Sequence, residues 1–156
     1  MKYEFEVPGK VVGKERPRVN MYTGRVYTPN KTKEYETLIQ QYFKISYPMA
    51  KMLEGRVHID IIAYLKIPKG TSKAKTTQML EGNMSPTQKP DVDNIAKSVL
   101  DAMNKVAFKD DNQVTKISVE KRFSQKGRNK NRRILIKLCQ RNLLLGCFID
   151  KTAKPC

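Results

Sequence analysis

The segment from Val57 to Leu65 constrains the fold most. Val57, Ile59, Ile61, Ala63 and Leu65 alternate with His58, Asp60, Ile62 and Tyr64, and Pro68-Lys69-Gly70 closes the run. Such a period of two marks a strand with one face in a core, and that strand requires both a sheet to pair with and a layer to cover it. The rest of the chain offers both. Tyr3, Phe5 and Val7 alternate with Glu4 and Glu6 before Pro8-Gly9, which predicts an opening strand. Ile117, Val119 and Phe123 alternate with Lys116, Ser118, Glu120 and Arg122. A basic turn from Gly127 to Arg133 then leads to a return strand with Ile134, Ile136 and Leu138, together predicting a terminal hairpin.

Tyr35, Leu38, Ile39 and Tyr42 recur at helical spacing, with Lys33, Glu34, Glu36, Gln40 and Gln41 opposite, so a helix is expected from near Pro29–Thr32 to before Pro48. Ile95, Val99, Met103 and Val106 predict a second helix over Asp93–Val106, with Asp93 or Asn94 as its N-cap. The stretch from Lys14 to Tyr27 reads as a loop or short hairpin. Thr71 to Gln88, polar with Gly82 and Pro86, reads as a mobile loop, either a lid or DNA-contacting flap or a solvated loop without a role. No solenoid repeat is visible. The expected architecture is α+β, a single compact domain whose mixed β-sheet of about four to five strands is packed by two main helices. The domain is expected over residues 1–138 with a tail over 139–156, in which Leu143 to Ile149 is apolar enough to pack on the domain or a partner subunit.

The chain has 156 residues, 31 Lys plus Arg against 15 Asp plus Glu, and a formal charge of +16. That imbalance suits a polyanion, because each cation that neutralises a phosphate releases condensed counterions. A membrane surface fits less well, since no basic amphipathic helix has a broad apolar face and no apolar run approaches ~20 residues. Met1 to Glu6 lacks the apolar core of a signal peptide, so a cytoplasmic protein is expected. Cys139, Cys147 and Cys156 are odd in number and lack zinc spacing, which predicts reduced thiols. His58 is the single histidine. It excludes a His-rich metal site, argues against a His general base, and reads as an ordinary strand residue.

Against this positive background the acids concentrate in one place: Lys89-Pro90-Asp91-Val92-Asp93-Asn94, then Asp101, then Asp110-Asp111. A local acidic cluster in a basic chain needs a local cause, and a hard divalent cation such as Mg²⁺ supplies one through carboxylate, water and phosphate oxygens. Pro90 stiffens the approach, and Asp91 and Asp93, two residues apart in an extended segment, can point to one side. Asp93, Lys97 and Asp101 then stack at four-residue spacing on the helix. Lys97 can neutralise charge gained by a phosphate in the transition state, or simply form a helix salt bridge worth ~0.3–0.5 kcal/mol. If the strand beginning near Val114 packs beside an earlier strand end, Asp111 would join Asp91 and Asp93 around one or two Mg²⁺ ions. Asp110-Asp111 also fits a plain turn or cap.

The string KPDVDNIAKSVLDAMN followed by AFKDDNQV closely resembles the RusA-type Holliday-junction resolvases, whose pattern runs K-P-D-x-D-N-x-x-K-x-x-x-D-A and then D-D-x-Q. Pro8-Gly9, KERPR over Lys14–Arg18, and Gly24-Arg25-Val26-Tyr27-Thr28-Pro29 resemble the opening of many members, so the likeness covers about Tyr3 to Leu138. It implies a Mg²⁺-dependent endodeoxyribonuclease, with Mn²⁺ as a substitute, acting as a homodimer. That dimer would place paired symmetric nicks in four-way junctions or branched DNA during recombination and repair. Carried over by position, the metal-binding acids are Asp91, Asp93 and Asp111, with Asp110 ranked behind them, and the catalytic lysine is Lys97. Asn94, Asp101 and Gln113 take supporting roles. The cations expected to track phosphates are Lys14, Arg16, Arg18, Lys69, Lys73, Lys75, Lys89, Lys126 and Arg128. Rival readings are a non-catalytic basic nucleic-acid-binding protein and a general flap or fork nuclease.

Overall fold

The computed structural model of the chain describes residues 1–27, 29–124 and 132–141. In order they form β1 (Lys2–Pro8), β2 (Arg18–Val19), β3 (Val26–Tyr27), α1 (Asn30–Ser46), β4 (Arg56–Lys66), α2 (Lys73–Leu80), α3 (Val92–Met103), a 3-10 turn (Asp111–Gln113), β5 (Val114–Ser124) and β6 (Arg133–Arg141). Four strands make one mixed sheet in the order β1-β6-β4-β5. β6 runs antiparallel to both β1 and β4, and β4 runs parallel to β5. β2 and β3 form a separate small hairpin, as the turn chemistry at Thr23-Gly24 suggests.

The period-two runs become one apolar face. Tyr3, Phe5 and Val7, then Val57, Ile59, Ile61, Ala63 and Leu65, then Ile134, Ile136 and Leu138 are all buried. Helices α1 and α3 cover this face through Tyr35, Ile39 and Phe43 on one and Ile95, Val99, Ala102 and Met103 on the other, all in the same core cluster. Each fully buried isoleucine or phenylalanine there contributes ~1.5–3 kcal/mol. The opposite face is polar. Lys137 pairs with Glu4 at 3.2 Å, Arg133 pairs with Glu6 at 3.3 Å, and the Arg133 guanidinium lies 4.1 Å from the Tyr64 ring centroid. His58 sits on that face; burial and then the charges of Arg141 and Lys116 lower its pKa, against Asp60, so it is neutral at pH 7.

The structure corrects four expectations. First, there is a third helix, α2, inside the stretch read as a loop; Ser72 caps it by accepting from the Lys75 N–H, but none of its residues is buried, so it carries no apolar stripe to reveal it. Second, α3 begins a residue before Asp93. Asp91 is its N-cap and the Ile95 N–H donates to the Asp91 carbonyl at 3.0 Å. Third, α3 stops at Met103, and the Val106 N–H bonds back to the Met103 carbonyl in a turn. Fourth, β5 and β6 are not a hairpin, because β4 lies between them.

The last rearrangement has a clear cause. Ile134, Ile136 and Leu138 give β6 a complete inward face, fully buried, whereas Ile117 of β5 remains 39% exposed. The strand with the better apolar face takes the interior position and β5 is left at the edge. Residues 125–132 between them exceed the two to five that close a tight hairpin, so the chain has the length to cross β4. Cys139, Gln140 and Arg141 continue β6, with Cys139 opposite Lys2. The remainder of the tail, with Leu143 to Ile149, lies outside the described residues, as do Lys126 and Arg128. Among the described residues no helix is long and apolar enough to cross a membrane.

Candidate active site

The head of α3 is built to leave carboxylates unengaged. Asp91 takes the extended N-cap conformation (φ −75°, ψ 152°), yet its side chain makes no capping bond, and among the described residues it has no ion-pair partner. Asp93 occupies the first helical turn, where the partial positive charge of the helix start favours an anion. Lys97 Nζ lies 3.4 Å from the Asp93 carboxylate, with both side chains about 60% exposed (60% and 63%). An ion pair that open to water is worth only a few tenths of a kcal/mol (~0.3–0.5). Asp91, Asp93 and Lys97 therefore keep most of their charge available to a ligand.

Three contacts from elsewhere in the chain hold this head in place. The Lys14 N–H donates to the Asn94 carbonyl at 2.9 Å. Lys121, on the inward face of β5 opposite Ala63, donates from Nζ to the Gln88 carbonyl at 2.9 Å and the Pro90 carbonyl at 3.4 Å. Gly13 lies so near that a Cβ there would meet the Cβ atoms of Asn94 and Pro90 at 2.9 Å each. Neither Gly13 nor Lys121 was singled out by sequence. The signal for Lys121 was a cation standing at an inward position of the Ile117, Val119, Phe123 alternation. Gly13→Ala is expected to push the head of α3 away and cost ~1–3 kcal/mol of stability, as overpacking does. Denaturant unfolding together with a cleavage assay checks it; unchanged values in both would show that the close approach has no role.

Lys14 itself is diverted from the role expected of it. Its ammonium hydrogen-bonds to the Asp101 carboxylate of α3 and lies 3.4 Å from Glu36 of α1. Partial burial alone would lower its pKa, but the hydrogen bond to Asp101 and the charges of Asp101 and Glu36 outweigh that and hold it above the ordinary lysine value. Lys14 thus ties α1, α3 and the N-terminal segment together. Asp101 is engaged by Lys14, whereas Lys97 pairs with Asp93.

Asp110 and Gln113 form a capping box around the 3-10 turn. The Asp110 carboxylate accepts from the Asn112 N–H at 3.0 Å, and Gln113 Oε1 accepts from the Lys109 and Asp110 N–H groups at 2.8 and 3.2 Å. Gln113 Nε2 donates to the Leu53 and Gly55 carbonyls, both at 3.2 Å, which staples the turn to the entry of β4. Asp110 therefore acts as the cap that spacing allowed. Asp111 is exposed beside it, and no ion-pair partner appears among the described residues.

The two groups of acids lie at opposite ends of α3. Sequence reasoning placed the start of β5 beside an earlier strand end, but β4 and β5 are parallel, so Val114 pairs with Val57 at the start of β4. Pro90, which precedes Asp91, is instead held through its carbonyl by Lys121, level with Ala63 near the end of β4. A helix of 12 residues, ~18 Å long, separates them. Consistent with this, no three His, Cys, Asp or Glu side chains among the described residues come together as a metal cage. Asp91 and Asp93 alone provide the hard-oxygen donors that suit a Mg²⁺-type ion, which needs only one or two carboxylates when water and phosphate complete its shell. The three-acid set does not close within one copy.

Beside the head of α3 lies a cleft of 350 Å³ whose walls carry Lys10, Lys66, Lys69, Lys89 and Arg132. Lys69 and Lys89 are expected from sequence to contact nucleic acid, and Arg132 falls within the basic run Lys126–Arg133 that is a candidate phosphate track; Lys10 and Lys66 stand outside any basic run that sequence singles out. Gln88 and Pro90 line the same cleft and lead directly into Asp91. Of the other expected cations, Lys73 and Lys75 are exposed on α2, Arg16 is exposed, and Arg18 pairs with Glu15 at 3.3 Å.

The profile of the endodeoxyribonuclease RusA family matches residues 8–136. The chain belongs to the RusA endodeoxyribonuclease family. It is thus a hydrolase that acts on DNA, and the matched span runs from the end of β1 into β6, taking in the clamped head of α3 and the cation-lined cleft. A relative in Bacillus subtilis (strain 168), described as uncharacterized protein YqaN, is 35% identical over 129 residues, covering 80% of this chain and 90% of that protein. For this RusA-family chain the basic surface and the acidic notch have one common explanation, a phosphodiester substrate.

Proposed function

We propose that this endodeoxyribonuclease is a Mg²⁺-dependent, homodimeric Holliday-junction resolvase that makes paired symmetric nicks in four-way DNA during recombination and repair. The observation that supports it most is the juxtaposition of two uncapped carboxylates, Asp91 and Asp93, with a cleft lined by five cations. Asp91 and Asp93 would hold the ion, which when bound lowers the pKa of an attacking water and stabilises the departing oxygen. Lys10, Lys66, Lys69, Lys89 and Arg132 seat the backbone and set its position relative to the acids. Lys97, one turn along α3 from Asp93, meets the negative charge that builds on the phosphate as it is attacked. A twofold dimer suits a four-way junction, since each subunit meets one of two equivalent strands.

Side-by-side digestion of a labelled four-way junction, a flap, linear duplex and RNA in Mg²⁺ tests the reading. The expected result is symmetric cleavage of the junction well ahead of the other three. Similar rates on all four would replace it with a general nuclease, and absence of cutting on any would remove the enzymatic reading of the site. Affinity for junction arms should fall with salt at a log-log slope of about −0.9 per phosphate contact.

A further inference from the structure

We infer that the β2–β3 hairpin is a stacking finger: Met21 and Tyr22 at its tip seat against an unstacked base of branched DNA, while Arg16, Arg18 and Arg25 hold the phosphates beside it. The inference rests on the junction reading above for its substrate, and it names the contact by which a branch is told from linear duplex.

The tip is open to water and yet ordered. Tyr22 is 100% exposed and Met21 90%, so neither contributes to the core, and among the described residues no other aromatic side chain is as open as Tyr22. Local hydrogen bonds fix the turn that carries them. The Asn20 side-chain oxygen accepts from the Tyr22 and Thr23 N–H groups at 2.9 and 3.2 Å. The Asn20 N–H donates to the Arg25 carbonyl at 2.9 Å, and the Gly24 N–H donates to the Asn20 carbonyl at 2.8 Å. Gly24 has φ +64°, a left-handed conformation that glycine adopts without steric cost. A turn closed by its own backbone and Asn20 loses little freedom when a ligand meets it, which is the condition for a preformed contact.

The hairpin springs from the acidic site. Gly13 lies against Asn94 and Pro90, and the Lys14 N–H is bonded to the Asn94 carbonyl, just before the chain leaves for β2. The Glu15 N–H donates to the buried Thr32 Oγ1 at 3.4 Å, which ties the outgoing strand to the start of α1, where the chain returns. Eight residues separate Lys14 from Tyr22, ~26 Å at most in an extended chain. That reach equals about eight base-pair steps, so tip and acids meet the same stretch of DNA.

Charge and geometry identify what the tip receives. Residues 16–27 hold three arginines and no acid, so the finger is complementary to a polyanion. A phenol ring stacks on the face of any base, a thioether packs softly beside it, and guanidinium groups take the flanking phosphates. In linear duplex every base is already stacked on both sides, and entry means prising a step apart. Where strands part at a branch that cost falls away. Phosphate contacts alone position DNA without reading its shape, whereas a base contact that needs an open step reads it.

Two measurements, made without divalent metal so that no strand is cut, decide the matter. Tyr22→Ala should weaken binding to a labelled four-way junction by ~5–150-fold, the effect of losing one base–aromatic stack, while affinity for linear duplex changes by less than about 2-fold. Tyr22→Phe keeps the stack and should bind the junction as wild type does. The chain has no tryptophan, so Tyr22→Trp installs a single one, whose emission should be quenched by the junction and not by the duplex. Unchanged junction affinity in Tyr22→Ala, or tryptophan emission unmoved with junction bound, overturns the finger. Equal losses on junction and duplex overturn the branch contact, and a change in self-association on gel filtration with DNA affinity intact assigns the tip to protein contact and overturns it as well. Wild type that binds junctions but does not cut them in Mg²⁺ would defeat the resolvase reading instead, and the Tyr22 series would still decide the finger.

Discussion

Asp91→Asn is expected to abolish junction cleavage, a loss of ~10³-fold or more of the kind seen when a core catalytic group is removed. The substitution keeps the size of the side chain and exchanges an anionic oxygen for an amide, so it removes the charge that a hard cation requires. Folding should hardly notice. The carboxylate does not cap α3, so only its favourable interaction with the helix start is at stake, ~0.3–1 kcal/mol. DNA binding should be retained or tighten, because one negative charge is withdrawn from beside a cation-lined cleft. Cleavage, junction affinity and melting temperature measured on one preparation separate these effects. Cutting at the wild-type rate would remove Asp91 from the chemistry, and weaker binding with normal melting would place it in the DNA-contacting surface instead.

Residues whose roles are local were legible from sequence. The alternation in β1 and β4, the stripe of α1, and the Asp91-Val92-Asp93 head with Lys97 one turn on are patterns in which neighbours in sequence are neighbours in space. Pairing across the sheet was not legible. Both β5 and β6 alternate, and only the contest for the interior position between β4 and β1, decided by how complete each inward face is, puts β6 inside and β5 at the edge. Helix α2 escaped for the opposite reason, since it buries nothing and rests on its Ser72 cap.

The site divides in the same way. A basic run announces charge but not its partner, so Lys14 looked like a phosphate contact although it is bound to Asp101 and Glu36 across two helices. Conversely, Lys10, Lys66 and Arg132 come from three separate segments and meet only when the sheet has formed. The place of Asp111 depends on whether β5 runs parallel or antiparallel to β4, and nothing within either strand encodes that. Gln113 was recognisable as a motif position, yet its work is structural: it closes the turn and staples it to Leu53 and Gly55.

Lys97→Met is expected to lower the cleavage rate by ~10²–10³-fold, the size of effect that follows loss of one preorganised charge aimed at a transition state. A salt bridge to Asp93 predicts something else entirely. At 3.4 Å, with both partners about 60% exposed, that pair stabilises the helix by no more than ~0.5 kcal/mol, and its loss would not slow the chemistry. The two roles therefore separate on a single variant: a rate loss with unchanged melting and unchanged junction affinity assigns Lys97 to the transition state, while a small melting shift with normal cleavage assigns it to the helix. Lys97→Arg sharpens the contrast. It keeps the charge and the ion pair, so a helix role predicts full rescue, whereas the broader, planar guanidinium cannot place a compact charge at the same point and should restore only part of the rate.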